Sequence, residues 1–229
     1  MLHALWMVPL AVLAIPAVIG LILFVQIKAL SRPDLELVPA ERHRFASAIA
    51  DSQSHDAWLM SQGFNLVACC RLNAMKGALI TAWQHTARPS YICIYHLANQ
   101  RNYDMVTLFA DDVHLTTGST ADGMLLPTAP GGYCQCFPKT SFQKMWQRHI
   151  EAEEYLISSG AVALSAIDRP FQEIFVESIR RQADHVQTIP FWPLRGAYWY
   201  FVRRTRLAGK TVSQLVAMGV YPRPADLFK

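Results

Sequence analysis

The pattern of hydrophobic residues begins with an uncharged run from Ala4 to Ile27. A helix rises about 1.5 Å per residue, so a run of this length covers the roughly 30 Å hydrocarbon core of a bilayer. The run is too long for the apolar part of a cleaved signal peptide, and no Lys or Arg precedes it. We therefore predict that residues 1–30 form a retained transmembrane helix.

Beyond this run the pattern predicts a helix and then a series of strands. Residues 40–62 place apolar side chains at helical spacing, and Gly63 offers a stop. The following residues alternate between turn-formers and short segments rich in β-branched and aromatic side chains. Strands are predicted over residues 64–72, 78–85, 91–97, 103–110, 113–117 and 133–137. Because the connections among the first five strands are short, we expect an antiparallel meander.

Helical spacing returns in the C-terminal third of the chain. An apolar stripe begins at Phe142 and ends before Gly160, and a second amphipathic helix begins after Pro170. Thr211 and Gln214 have the spacing of a capping box, which predicts a short helix that ends at Gly219 in the C-terminal segment.

These elements predict an α+β fold in four parts. Residues 1–30 form the transmembrane anchor, residues 31–39 a linker with two prolines, residues 40–188 the α+β domain and residues 189–229 a C-terminal segment. Within the domain, we expect the helices to cover one face of the antiparallel sheet, because this arrangement buries the apolar side of both.

The basic residues beside the anchor predict its orientation. Lys28, Arg32, Arg42 and Arg44 all follow the uncharged run. The positive-inside rule then places the C-terminal domain in the cytoplasm. The five cysteines agree with this location, because an odd number with irregular spacing indicates reduced thiols rather than a disulfide framework.

Charge and aromatic side chains are concentrated in the C-terminal segment. Residues 189–229 contain seven basic residues and one acidic residue, whereas the rest of the chain contains fourteen basic and sixteen acidic residues. The residues predicted to contact a membrane surface or a partner are Trp192, Arg195, Trp199, Tyr200, Arg203, Arg204 and Arg206.

Three kinds of partner suit such a segment. Aromatic rings beside arginines fit the headgroup layer of an anionic membrane, where each basic residue contributes on the order of 1 kcal/mol. The same residue types dominate protein interfaces, and they also stack on and pair with nucleic acid. Because the anchor already holds the domain at the anionic leaflet, membrane lipid is the favoured contact. A protein partner in a membrane complex is the second most favoured contact. Nucleic acid and a purely structural role of the aromatic residues are least favoured.

Catalytic and metal-binding patterns are weak in this chain. Cys134 and Cys136 are separated by one residue, and His114 or His149 are distant candidates to complete a zinc site or to activate a thiol. The sequence shows no second cysteine pair at metal-ligand spacing. We therefore expect no metal and no cofactor. Asp111 and Asp112 are better explained as a two-residue hairpin turn.

The long polar loop from Thr116 to Gly132 is a further candidate site, because long loops in compact domains often carry function. Two hypotheses about function follow. The favoured one is an accessory or scaffolding subunit whose cytoplasmic domain binds a membrane partner. The alternative is a membrane-tethered enzyme that uses a cysteine or this loop.

Overall fold

The structure is a computed structural model that describes residues 2–40, 46, 50, 53–74, 78–97, 100–162, 164 and 167–227. The strands are β1 (Leu37–Pro39), β2 (Phe64–Leu72), β3 (Ala78–His85), β4 (Ser90–Leu97), β5 (Gln100–Leu108), β6 (His114–Gly118) and β7 (Gly132–Cys136). The α-helices are α1 (Leu2–Leu30), α2 (Gln53–Ser61), α3 (Phe142–Ser158), α4 (Phe171–Thr188), α5 (Trp192–Tyr198), α6 (Arg204–Leu207), α7 (Val212–Ala217) and α8 (Pro224–Leu227). A 3₁₀ turn lies at Ala121–Met124 and a π-helical turn at Trp199–Arg203. Much of the helix predicted over residues 40–62 lies outside the described residues.

The seven strands form one sheet in which each strand pairs with the next along the chain. All pairings from β1 to β6 are antiparallel, so the predicted meander is confirmed for this part of the sheet. β7 instead pairs parallel to β6. The connection between them spans residues 119–131, which is long enough to return the chain to the starting end of β6. The predicted linker contributes β1 as a short edge strand.

Helices cover both faces of the sheet, so the prediction of a single covered face is wrong. Side chains alternate along β4, which places Tyr91 and Cys93 on the face under α4, and Ile92 and Ile94 on the face under α2 and α3. Both faces of β4 are therefore buried. A continuous apolar run of this kind is typical of a strand with helices on both sides.

A buried polar network joins α3 to the sheet. The Nε2 atom of His149 lies 2.9 Å from Thr107 Oγ1, and its Nδ1 atom lies 2.8 Å from Thr117 Oγ1. Thr107 also contacts Ser90 at 2.8 Å and donates to Glu153 at 3.2 Å. Burial lowers the pKa of His149 to about 3, so the ring is neutral, and one nitrogen donates a hydrogen bond while the other accepts one. The network holds α3 in one position on the sheet.

Two local features agree with the sequence. Asp111 and Asp112 both have left-handed backbone angles, with φ of 55° and 59°, as a two-residue turn between antiparallel strands requires. Thr211 caps α7 because its hydroxyl accepts from the backbone N–H of Gln214, and the Gln214 side chain accepts from the backbone N–H of Thr211. The helix is followed by Gly219 with φ of 71°.

The C-terminal half of α1 packs against the rest of the molecule. Leu23 and Ile27 are buried, and Ile27 shares a small core with Val186 of α4. Lys28 donates a hydrogen bond to the side chain of Gln187 at the end of α4. The side chains of α1 are described from Ala14 onward, and among the residues described in this way no helix is both long and apolar enough to cross a membrane.

Candidate functional site

A close contact between α1 and α5 brings the C-terminal segment onto the N-terminal helix. A Cβ atom at Gly196 would lie 3.3 Å from the Cα of Gly20, and a Cβ atom at Gly20 would lie 2.8 Å from the carbonyl oxygen of Pro193. Small residues therefore let the two backbones approach closely. Beside this contact, the ring of Trp192 stacks on Phe24 with a centroid distance of 5.5 Å.

The helical segment that begins with α5 continues through the π-helical turn into α6. Trp199 and Arg204, at the two junctions, keep α-helical backbone angles. Phe191 precedes this segment with a left-handed φ of 56°, a conformation that is costly for a bulky side chain. Its ring is 76% exposed. Both π-helical turns and strained residues occur preferentially at functional sites.

Exposed apolar side chains cover the outer sides of these two packed elements. We call them the apolar surface, and it comprises Ile15, Val18, Leu21, Ile22, Val25, Phe191, Leu194, Tyr198, Phe201 and Val202. Leu194 is the most exposed of them, at 81%. Grouped apolar residues on the outside of a protein mark a contact with lipid or with another protein.

The aromatic residues predicted as contacts are mostly turned inward. Trp192 and Trp199 are buried in the core that α1 and α4 share. Tyr200 is half-buried, and the guanidinium of Arg204 lies 4.1 Å from its ring centroid. Arg204 is also paired with Asp122 at 2.6 Å. These four side chains therefore hold the segment in place.

The remaining predicted contact residues are arginines. Arg203 is half-buried, whereas Arg195 and Arg206 are exposed. The most exposed apolar residues of the segment, Phe191 and Leu194, were not among the predicted contacts, because the sequence does not show which side of the helix packs on α1.

A cavity of about 500 Å³ lies between the sheet and α4. The floor of the cavity is formed by β4, β5, β6 and β7. Its walls are formed by α4 and by Ile27 and Leu30 in the last turns of α1. This volume lies in the range of small-molecule sites. The predicted loop site borders the cavity through Thr116, Gly118, Asp122, Gly123, Leu126, Thr128 and Ala129.

Asp104 is the acidic residue on the cavity floor. The strand register places Cys93, Asp104, Gly118 and Cys136 in one row across β4 to β7. A side chain at Gly118 would crowd the carboxyl group, because a Cβ atom there would lie 3.1 Å from Asp104 Oδ1. Burial raises the pKa of Asp104 to about 6, and a hydrogen bond from Tyr95 opposes this rise only in part.

Two thiols lie side by side on the cavity face of β7. The Sγ atoms of Cys134 and Cys136 are 3.9 Å apart, and Cys134 donates to the carbonyl of Gly123 at 3.4 Å. The hydrogen bond with Cys134, together with burial, raises the pKa of Cys136 well above the ordinary value of a thiol. Cys136 is therefore a neutral thiol at pH 7.

The two candidate histidines do not join the thiols in a common site. His149 lies on the opposite face of the sheet, in the network under α3. His114 lies on the cavity side, 3.2 Å from Arg181, and burial lowers its pKa to about 4. Among the residues with described positions, no group of three or more His, Cys, Asp or Glu side chains is placed to hold a metal ion.

The other ionic groups that line the cavity are already paired. Arg181 of α4 lies 3.8 Å from the carboxylate of Asp112 and contacts His114. Asp122 is bound by Arg204 on the outer side of the 3₁₀ turn. Among the described residues, Asp104 differs from these groups because its partner is a phenol rather than an ion.

Asp104 was not among the predicted site residues, although the sequence contains a signal for it. Asp104 occupies the same face of β5 as Val106 and Leu108, so it places an acid on an apolar face.

No family model matches the chain, and no curated protein or solved structure is significantly similar to it. Function is therefore inferred from the apolar surface and the cavity alone.

Proposed function

We propose that this protein is a single-pass membrane protein and that its cytoplasmic α+β domain is an accessory or scaffolding subunit of a membrane complex. In this proposal α1 is the anchor, and the apolar surface contacts lipid and a partner. The observation that carries the proposal is the apolar surface, because exposed apolar side chains occur both on α1 and on the segment that packs against it.

The position of α5 along α1 supports contact with lipid. Gly20 precedes the end of the uncharged run by seven residues, which is about 10 Å along a helix. With α1 inserted up to Ile27, α5 would lie at the boundary between headgroups and acyl chains, where amphipathic helices insert by about 5–10 Å. Leu194 would then enter the apolar layer, and Arg195 could reach lipid phosphates.

The orientation of the proposed anchor rests on the basic residues that follow it. Lys28 and Arg32 lie directly after the uncharged run, so the positive-inside rule favours the cytoplasmic side for the residues that follow. Protease added to intact cells should leave the domain undigested, and it should digest the domain after the membrane is opened. Digestion in unbroken cells would contradict the cytoplasmic location.

The lipid contact can be measured by fluorescence quenching from the bilayer. With the partly exposed Cys69 replaced by serine, an environment-sensitive fluorophore is attached at Leu194→Cys in protein reconstituted into bilayers. Because Leu194 lies on the apolar surface, we expect lipids that carry a quencher on the acyl chain to reduce its emission strongly.

Met60→Cys provides the matched control for this measurement. Met60 is an exposed apolar residue of α2, away from the apolar surface, and its fluorophore should be quenched little by the same lipids. Equal quenching at the two positions would contradict docking of the C-terminal segment on the membrane.

A partner is tested by purification in mild detergent. A protein that co-purifies at a fixed ratio, and is lost from a Phe191→Ser/Leu194→Ser double variant, would support the accessory role. A homogeneous monomer would contradict that role without affecting the lipid contact. Point substitutions are preferable to removal of residues 189–229, because this segment supplies core residues such as Leu215 and Tyr221.

The second candidate function is a membrane-tethered enzyme. It is favoured by one observation, that the loop from Thr116 to Gly132 and the thiols of Cys134 and Cys136 border the same cavity. A nucleophilic thiol needs a base or a positive environment that lowers its pKa. The raised pKa of Cys136 is unfavourable for this role.

Alkylation rates distinguish the two functions. With iodoacetamide at pH 8 and without denaturant, we expect Cys69 to react first, because it is partly exposed, whereas burial raises the pKa of Cys70 to about 11. Mass spectrometry of the peptides gives the rate at each cysteine, and denatured protein serves as the control. Fastest modification at Cys134 would favour the enzyme instead.

A further inference from the structure

We propose that the cavity beneath α4 binds a small organic cation, an amine with an apolar body whose ammonium group pairs with Asp104. This inference concerns a different part of the molecule from the apolar surface and does not depend on the membrane contact. It rests on the charge, the shape and the lining of the cavity.

The charge balance of the cavity favours a cation at Asp104. In the part of the chain that is described, the carboxyl group of Asp104 has Tyr95 as its hydrogen-bond partner and no Lys, Arg or His paired with it. Arg181 and Asp122 already have partners of opposite charge. A partly buried carboxylate in a mostly apolar cavity is costly without a counter-charge, and a bound ammonium group would supply it.

The space beside Asp104 is suitable for such a group. Asp104 lines the cavity and is only half-buried. A side chain on Gly118, its neighbour on β6, would crowd the carboxyl group, because a Cβ atom there would lie 3.1 Å from Asp104 Oδ1. A Cβ atom at Gly123 would lie only 2.5 Å from Cys136 Sγ, so the turn lies close to the floor at this point. The absence of a side chain at Gly118 therefore leaves the carboxyl group uncrowded on this side, and Asp104 faces the cavity.

The walls match the apolar part of an amine. Tyr91, Tyr95 and Phe175 line the cavity, and the rings of Tyr95 and Phe175 have a centroid distance of 6.4 Å. Aromatic faces attract cations and also pack against alkyl or aryl groups. Ile27 and Leu30 of α1 add an aliphatic wall. An inorganic cation would gain nothing from the aliphatic wall, whereas the alkyl or aryl body of an amine would pack against it.

The experiment measures binding to the full-length protein in detergent micelles by calorimetry. The probes are butylamine, phenethylamine and tetraethylammonium, and 2-phenylethanol is the neutral analogue of phenethylamine. We expect at least one amine to bind with a Kd below about 10 mM, and phenethylamine to bind at least about tenfold more tightly than the alcohol. This comparison requires no variant, so it does not depend on whether a substitution permits folding.

Asp104→Asn supplies the second test. It should weaken binding of the amine by at least about tenfold and leave binding of 2-phenylethanol unchanged, because the shape of the cavity is preserved. Asp184→Asn makes the same change at an exposed position of α4 and should bind as the wild type does. Equal affinity for amine and alcohol, an unchanged affinity of Asp104→Asn, or no binding of any of the three amines would overturn the proposal.

Discussion

Replacing Gln135 by leucine is expected to lower the free energy of unfolding by about 3 kcal/mol, because it removes three buried hydrogen bonds at once. The Gln135 Nε2 group donates to Thr117 Oγ1 at 3.0 Å and to the carbonyl of Arg148 at 2.9 Å. Its Oε1 atom accepts from the backbone N–H of Val212 at 3.0 Å. Gln135 thus joins β7 to β6, α3 and α7 from a fully buried position.

Loss of the hydrogen bond from the backbone N–H of Val212 should have the largest effect on stability. This residue begins α7, and the first N–H groups of a helix have no partner within the helix, so leucine at position 135 leaves a buried donor unsatisfied. Leucine has a similar size, which limits any cavity effect. The loss can be measured by denaturant unfolding of the full-length protein in detergent.

Gln143→Leu is the control for this substitution. Gln143 is exposed on α3, so the same change should alter the free energy of unfolding by less than about 0.5 kcal/mol. A loss below about 1 kcal/mol for Gln135→Leu would mean that the three bonds to Gln135 contribute little to the stability of the folded protein.

The alternation of side chains made most of the sheet predictable from the sequence. The bounds of β2 and β3 follow from the pattern because turn-forming residues limit them on both sides. The parallel pairing of β7 was not predictable, because it depends on where a long connection places the next strand. The apolar run in β4 indicated that helices cover both faces of the sheet. This signal was hard to recognise because apolar and polar side chains alternate in other parts of the sheet.

The candidate site was less predictable because its residues are distant in sequence. Asp104, Cys136 and Arg181 meet only when β5, β7 and α4 are in place. Likewise, the sequence indicated that the C-terminal segment carries aromatic residues, but only the contact between Gly20 and Gly196 decides that Trp192 faces inward while Leu194 faces outward. Local patterns predict elements, whereas such sites depend on how the elements pack.

Asp104→Asn is expected to stabilise the protein at pH 8 by up to about 3 kcal/mol, and much less at pH 4. The pKa of Asp104 is about 6 in the folded protein and 3.8 in its ordinary state. Between these values the folded protein keeps a proton that the unfolded chain has lost, so the stability of the wild type falls as the pH rises through this window. Asparagine has no proton to lose, and the corresponding part of the pH dependence should disappear.

Denaturant unfolding of the full-length protein at pH 4 and pH 8 measures this difference. Asp184→Asn is the control: because Asp184 is exposed, this variant should have the stability of the wild type at both pH values. A loss of stability at pH 8 on replacing Asp104 would show that the carboxylate is matched by a cation in the folded protein. The expected gain would instead identify a carboxyl group that lowers stability while it is ionised, as is typical of residues that bind a ligand rather than support the fold. Since the proposed amine would remove this cost by supplying the counter-charge, the variant that is most stable at pH 8 should also be the one that binds the amine least.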